Sequence, residues 1–138
     1  MKLLLTANSY WMKQDLDCFA EQWDKDLIDG VEVCVNINTD NFEHIKKLAQ
    51  NCYKNNWIFQ IHSNELYDEP NSKLHKTLFM YNEIAHEVKG RIILTLHPAP
   101  KENEWYFHKI KSCIENNHLH LIPVIENIAC LQMKTKSI

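Results

Sequence analysis

Five short apolar runs, each beginning about thirty residues after the last, constrain this chain more than any other feature, because that spacing is the length of a strand-helix-strand unit. They are KLLLTAN at 2–8, GVEVCVN at 30–36, WIFQIH at 57–62, RIILTLH at 91–97 and LHLIPVIE at 119–126. Rich in leucine, β-branched and aromatic residues with little polar alternation, they predict strands covered on both faces. Between them, apolar residues recur at three-to-four spacing. Leu16, Phe19, Ala20, Trp23 and Leu27 predict a helix over 15–28. Phe42, Ile45, Ala49 and Cys52 predict another after Thr39-Asp40, where Asp40 and Glu43 have the spacing of a capping box. Leu74, Leu78, Tyr81, Ala85 and Val88 mark a third helix closed by Gly90, and Phe107, Ile110 and Ile114 a fourth ended by Asn116-Asn117. Strands alternating with amphipathic helices predict an α/β domain built on a parallel sheet.

No composition shift or low-complexity stretch divides residues 1–138, so one domain is expected. Gly30 and Gly90 are the only glycines, where average usage would give about ten, so a glycine-rich phosphate loop cannot be assembled. The formal charge of −3 gives no electrostatic footprint for nucleic acid. Basic pairs such as Lys46-Lys47, Lys109/Lys111 and Lys134/Lys136, the first two flanked by Glu43 and Glu115, read as solvated faces. The five cysteines, Cys18, Cys34, Cys52, Cys113 and Cys130, are odd in number and without a C-x-x-C pair. Neither a disulfide framework nor a zinc knuckle is expected, and a reducing cytoplasm is the expected location. The start MKLLLTANSYWMKQ has three leucines where a signal peptide needs an apolar run of about seven or more, so neither export nor a membrane anchor is expected.

In parallel βα architectures the working side chains gather where strands end and loops begin. The second run ends at Asn36, the third at His62, the fourth at His97 and the fifth at Glu126. Two imidazoles and a carboxylate at successive strand ends form a set that binds a divalent metal while leaving positions open for water or substrate. Gln60 shares a strand face with His62, and Thr95 with His97, giving polar rows beneath both histidines. Each histidine taken alone reads more readily as a hydrogen-bonded loop residue, and only the three suitable residues at successive strand ends bring the two readings level. His44, His75, His86 and His108 on helices, and His118 and His120 before the last strand, read as surface residues.

The succession GVEV, QIHS, TLHP and VIENIA across the second to fifth strands resembles the xylose isomerase-like TIM barrel superfamily, which includes sugar-phosphate isomerase/epimerase-like proteins and the abasic-site nuclease endonuclease IV. The resemblance implies a (β/α) barrel whose mouth holds a divalent ion, zinc or manganese, with His62, His97 and Glu126 as ligands. It also implies that Glu126 doubles as a catalytic proton acceptor and that the substrate is a small sugar-like molecule. Glu32 matches an acidic residue of the family's second strand, although a structural strand residue is the stronger reading. The chain departs from the pattern at Ala99, where His-Pro-Gly is usual, and at Ile128 and Cys130 after the glutamate. A full barrel has eight strands in about 250 residues, so a partial barrel of about five strands is expected, with low turnover by the lone chain. A five-stranded flavodoxin-like sandwich is the alternative fold. A phosphoacceptor receiver of that shape is excluded, because its acidic and lysine positions are held by Asn8, His62 and Glu126.

Two functional expectations follow. One is a metal-dependent sugar isomerase or epimerase, with an abasic-site nuclease fragment as a variant of it. The other is a non-catalytic half-barrel that self-associates or binds a complementary half, because apolar terminal strands without barrel closure leave edges to cover.

Overall fold

A parallel ladder runs through the chain in sequence order. The computed structural model describes residues 2–8, 27–35, 42–63, 66 and 71–126. The strands are β1 (Leu4–Asn8), β2 (Gly30–Val35), β3 (Ile58–Ser63), β4 (Ile92–Leu96) and β5 (Leu121–Ile125), each within two residues of its expected bounds. Three described helices lie between them, α1 (Phe42–Lys54), α2 (Asn71–Glu87) and α3 (Trp105–Asn116), with a 3-10 turn at Lys101–Asn103. Most of the expected helix over 15–28, the Asp40 cap, Asn36, Cys18, Ile128 and Cys130 lie outside the described residues. Leu27, assigned by its spacing to a buried stripe, sits in a turn and is 68% exposed.

The sheet order is β1-β2-β3-β4-β5, and every neighbouring pair is parallel. The protein is therefore an α/β structure with a five-stranded all-parallel sheet. Both expected folds have an all-parallel five-stranded sheet, but they differ in strand order. The chain-order arrangement is that of consecutive staves in a barrel wall, whereas a flavodoxin-like sheet runs 2-1-3-4-5.

Period-two geometry then sorts the side chains. Val31, Val33, Val35, Phe59, Ile61, Ile92, Leu94 and Leu96 are buried on one face. That face meets Ile45, Leu48, Ala49 and Cys52 of α1, Leu74, Leu78, Tyr81, Ile84 and Ala85 of α2, and Tyr106, Ile110, Cys113 and Ile114 of α3 in one hydrophobic core. The helices also join each other. Glu87 of α2 accepts from Gln50 Nε2 at 2.9 Å and pairs with Lys46 Nζ at 3.8 Å, both on α1. The opposite face is only partly covered: Glu32, Cys34, Gln60, His62, Ile93 and Thr95 are all partly exposed. The expectation of strands covered on both faces is thus corrected. Leucine and β-branched density marks a strand well, but Glu32, Gln60 and Thr95 already broke the runs on one parity.

Two smaller corrections concern the helices. Tyr106, rather than Phe107, is the fully buried aromatic of α3. The turn closing α2 places Lys89, at φ 53°, in the left-handed region, and Gly90 has no positive φ. Asn56 and His118 do the same after α1 and α3, so a chain poor in glycine closes its helices with residues that bear some strain there.

Gly30 has a different necessity. A Cβ there would collide with the backbone carbonyl oxygen of Ile58 and lie 2.7 Å from Ile58 N, because the starts of β2 and β3 approach closely. Backbone cannot rotate aside as a side chain can. Gly30→Ala is therefore expected to destabilise the fold by about 2 kcal/mol, in the range of overpacked sites. Urea denaturation should show a lowered midpoint with an unchanged slope. Wild-type stability in this variant would contradict the close approach.

Candidate metal centre at the carboxyl edge of the sheet

Three strands deliver the site by the same alternation that built the core. His62 follows Gln60 on the open face of β3. His97 and Glu126 each stand one residue past the ends of β4 and β5, in phase with Thr95 and Val124, which are paired across those strands. Pro98 restricts His97 to extended backbone, so the chain leaves β4 without turning the imidazole away. The backbone N–H of Glu126 donates to Leu96 O at 2.9 Å, which carries the β4/β5 ladder one residue further and fixes Glu126 beside His97. Behind them the buried Tyr106 hydroxyl of α3 donates to His97 O at 2.9 Å.

The side chains converge. His62 Nε2 lies 3.4 Å from Glu126 Oε2, and His97 Nδ1 lies 3.7 Å from the same oxygen. The two imidazole centroids are 5.0 Å apart with planes tilted by 55°. One ligand atom from each of the three residues falls within 4.8 Å of the others. On the far side of His62, Nδ1 is 3.3 Å from Glu32 Oε1, and Thr95 Oγ1 donates to Glu32 Oε2 at 3.5 Å.

Glu126 Oε2 is the informative atom. It is buried, yet no hydrogen bond reaches it despite two ring nitrogens nearby. An unsatisfied buried carboxylate oxygen costs several kcal/mol unless something positive meets it. A tetrahedral zinc ion with bonds of about 2.1 Å sets its donor atoms roughly 3.4 Å apart, which is close to the two separations measured from this oxygen. The charges agree: Glu32 and Glu126 bring two negative charges to two imidazoles, an excess that a divalent cation offsets. The residues present fit such an ion.

Cys34 lies across the ladder from His62. Burial pushes its thiol up, and the negative charges of Glu32 and Glu126 push it further, so at neutral pH it is a thiol and a poor nucleophile. Burial raises Cys113 in the same way, and Cys52 is pushed up to about 12. These three are free cysteines, as their positions on apolar stripes and in a strand predict. The six remaining histidines are all exposed. A cavity of about 530 Å³ beside Lys89, Arg91, Glu115, His118 and His120 opens at the amino end of β4 and β5, opposite the histidine-carboxylate cluster. None of the described helices is long and apolar enough to cross a membrane.

Sequence reasoning expected His62, His97 and Glu126 to converge, and the structure brings the three together. It underweighted Glu32, whose signal was its parity: two residues before Cys34 and opposite Gln60, on the face that carries His62. It missed Tyr106, for which the pattern offered only an aromatic pair at the start of a helix. No protein-family model matches the sequence, and no curated protein matches it.

Two outcomes are expected. Tyr106→Phe should lower stability by about 1 kcal/mol, one net hydrogen bond, read by thermal melting. For Cys52 the unfolded thiol titrates near the ordinary 9.0 and the folded one near about 12. The folded state then holds a proton that the unfolded chain releases. Its contribution to stability is whole below pH 9.0 and drains away as pH rises toward about 12. Iodoacetamide at pH 7.5 should leave the Cys52 peptide unmodified in folded protein and alkylate it in urea.

Proposed function

We propose that this protein binds a divalent cation, zinc or manganese, through His62, His97 and Glu126, at the mouth of a partial (β/α) barrel related in chemistry to metal-dependent sugar-phosphate isomerases and epimerases. The observation that carries the reading is the buried, unbonded Oε2 of Glu126 between two imidazole nitrogens. The order of QIHS, TLHP and VIENIA along the chain supports the isomerase side of it.

Bound there, the ion supplies Lewis-acid polarisation of a carbonyl or hydroxyl. The chain's own residues supply the rest. His62 and His97 present ring nitrogens as ligand atoms. Glu126 offers a carboxylate to the ion and accepts a proton from the substrate, the role that its place between the imidazoles and the open sheet face suits. Glu32, Gln60 and Thr95 make the floor of the site polar, which favours a hydroxyl-rich ligand over an apolar one. The acidic overall charge favours a small polar substrate over a nucleic acid, so the nuclease reading ranks behind.

Calorimetric titration with zinc tests the site. Wild-type protein should bind one ion per chain, and the double variant His97→Ala, Glu126→Ala should give no measurable heat of binding. Unchanged affinity in the double variant would move the metal elsewhere. Glu126→Gln should remove any metal-dependent aldose-ketose turnover while leaving the fold intact.

A second reading, association through the sheet edge, is favoured by β5. Ile122, Val124 and Ile125 are 41%, 39% and 55% exposed on a strand that pairs only with β4 among the described residues. Apolar strand edges of this kind favour assembly. Light scattering at micromolar concentration should report a species larger than 16.4 kDa, and Val124→Lys should shift it toward the monomer. A strictly monomeric wild type would end this reading.

A further inference from the structure

We propose that Glu32 is a positioning residue that fixes which nitrogen of His62 faces the cation; this rests on the metal reading of His62, His97 and Glu126. Glu32 stands on the open face of β2, paired in register with Gln60, so His62 is its diagonal neighbour on β3. Its Oε1 lies 3.3 Å from His62 Nδ1, and its Oε2 accepts from Thr95 Oγ1 of β4 at 3.5 Å. One carboxylate thus spans two strands beneath the site, held from one side and holding the ring on the other.

The consequence for His62 is directional. Of the two carboxylates beside the ring only Glu32 meets it in a hydrogen bond, and a carboxylate only accepts, so Nδ1 carries the proton. In the neutral imidazole the lone pair then sits on Nε2, the nitrogen 3.4 Å from Glu126 Oε2. A ring without this partner samples both tautomers and presents a proton to the cation part of the time. The carboxylate also restricts rotation of the ring, the usual work of an outer carboxylate behind a metal-bound histidine. Thr95 acts one step further back, by restricting Glu32.

The test uses the full chain, labelled with ¹⁵N and stripped of metal, with long-range proton-nitrogen spectra reporting the His62 tautomer and zinc titration reporting affinity. In the wild type His62 should carry its proton on Nδ1. Glu32→Ala should shift it toward Nε2–H and weaken zinc binding by about 10–100-fold. Glu32→Gln, whose amide oxygen still accepts from Nδ1, should keep the tautomer and retain affinity within about tenfold of wild type. Thr95→Val, which leaves Glu32 in place, should give a smaller shift in the same direction, and circular dichroism should confirm the fold of each variant. An Nε2–H tautomer or a doubly protonated ring in the wild type would overturn the proposal, as would a Glu32→Ala protein with unchanged tautomer and unchanged affinity. Failure of the wild type to bind zinc would overturn the cation site separately, and the tautomer comparison in the metal-free protein still decides the role of Glu32.

Discussion

The in-register parallel ladder is the constraint on which the rest of this protein depends. Because β1 to β5 pair in chain order with no strand reversed, side chains two residues apart stay on one face from strand to strand. A slip of one residue in any strand would move its whole buried set outward. The same slip would carry His62, or Thr95 and the residues in phase with it, from the open face to the helix-covered one. Stability and site are therefore two readings of one register.

The described helices enforce that register from one side of the sheet. α1, α2 and α3 bring their apolar stripes to the face of Val33, Ile61 and Leu94, which are fully buried, and burial of aliphatic side chains at about 25 cal/mol per Å² is the main term favouring the fold. The opposite, partly exposed face is then free to carry polar groups at modest cost, since they keep partial access to water. Glu32, Gln60, His62 and Thr95 exploit that freedom. A sheet covered twice by helices would have had to satisfy each of them internally.

At the carboxyl edge the freedom narrows again. Glu126 Oε2 is enclosed by two imidazoles and has no hydrogen-bond partner, while Glu32 behind His62 is held by both the imidazole and a hydroxyl. The two carboxylates thus occupy different electrostatic situations a few ångströms apart: one satisfied by protein groups, the other facing imidazole nitrogens across a gap of 3.4 and 3.7 Å. That asymmetry distinguishes the positioning role proposed for Glu32 from the ligating role proposed for Glu126. Partial burial, with the negative charges of Glu32 and Glu126 added to it, keeps the Cys34 thiol protonated.

Much of this was legible along the chain. Strand and helix periods located all five strands and the three described helices, and the strand-end rule singled out His62, His97 and Glu126, because such signals are local and repeat every few residues. What stayed hidden depends on distances between residues far apart in sequence. The spacing that put Leu27 on a buried stripe could not show that it ends in an exposed turn, and Phe107 and Tyr106 were indistinguishable until α3 docked with Tyr106 beneath His97. The close approach of Gly30 to Ile58 exists only once β2 and β3 are side by side. Glu32 is the clearest case: by itself it is an acidic residue in an apolar run, and only register, 30 residues away at His62 and 63 at Thr95, gave it partners. Local chemistry and periodicity are written in the sequence one residue at a time, whereas unpaired lone pairs, ring orientation and the openness of a sheet face are properties of neighbours that only tertiary packing supplies.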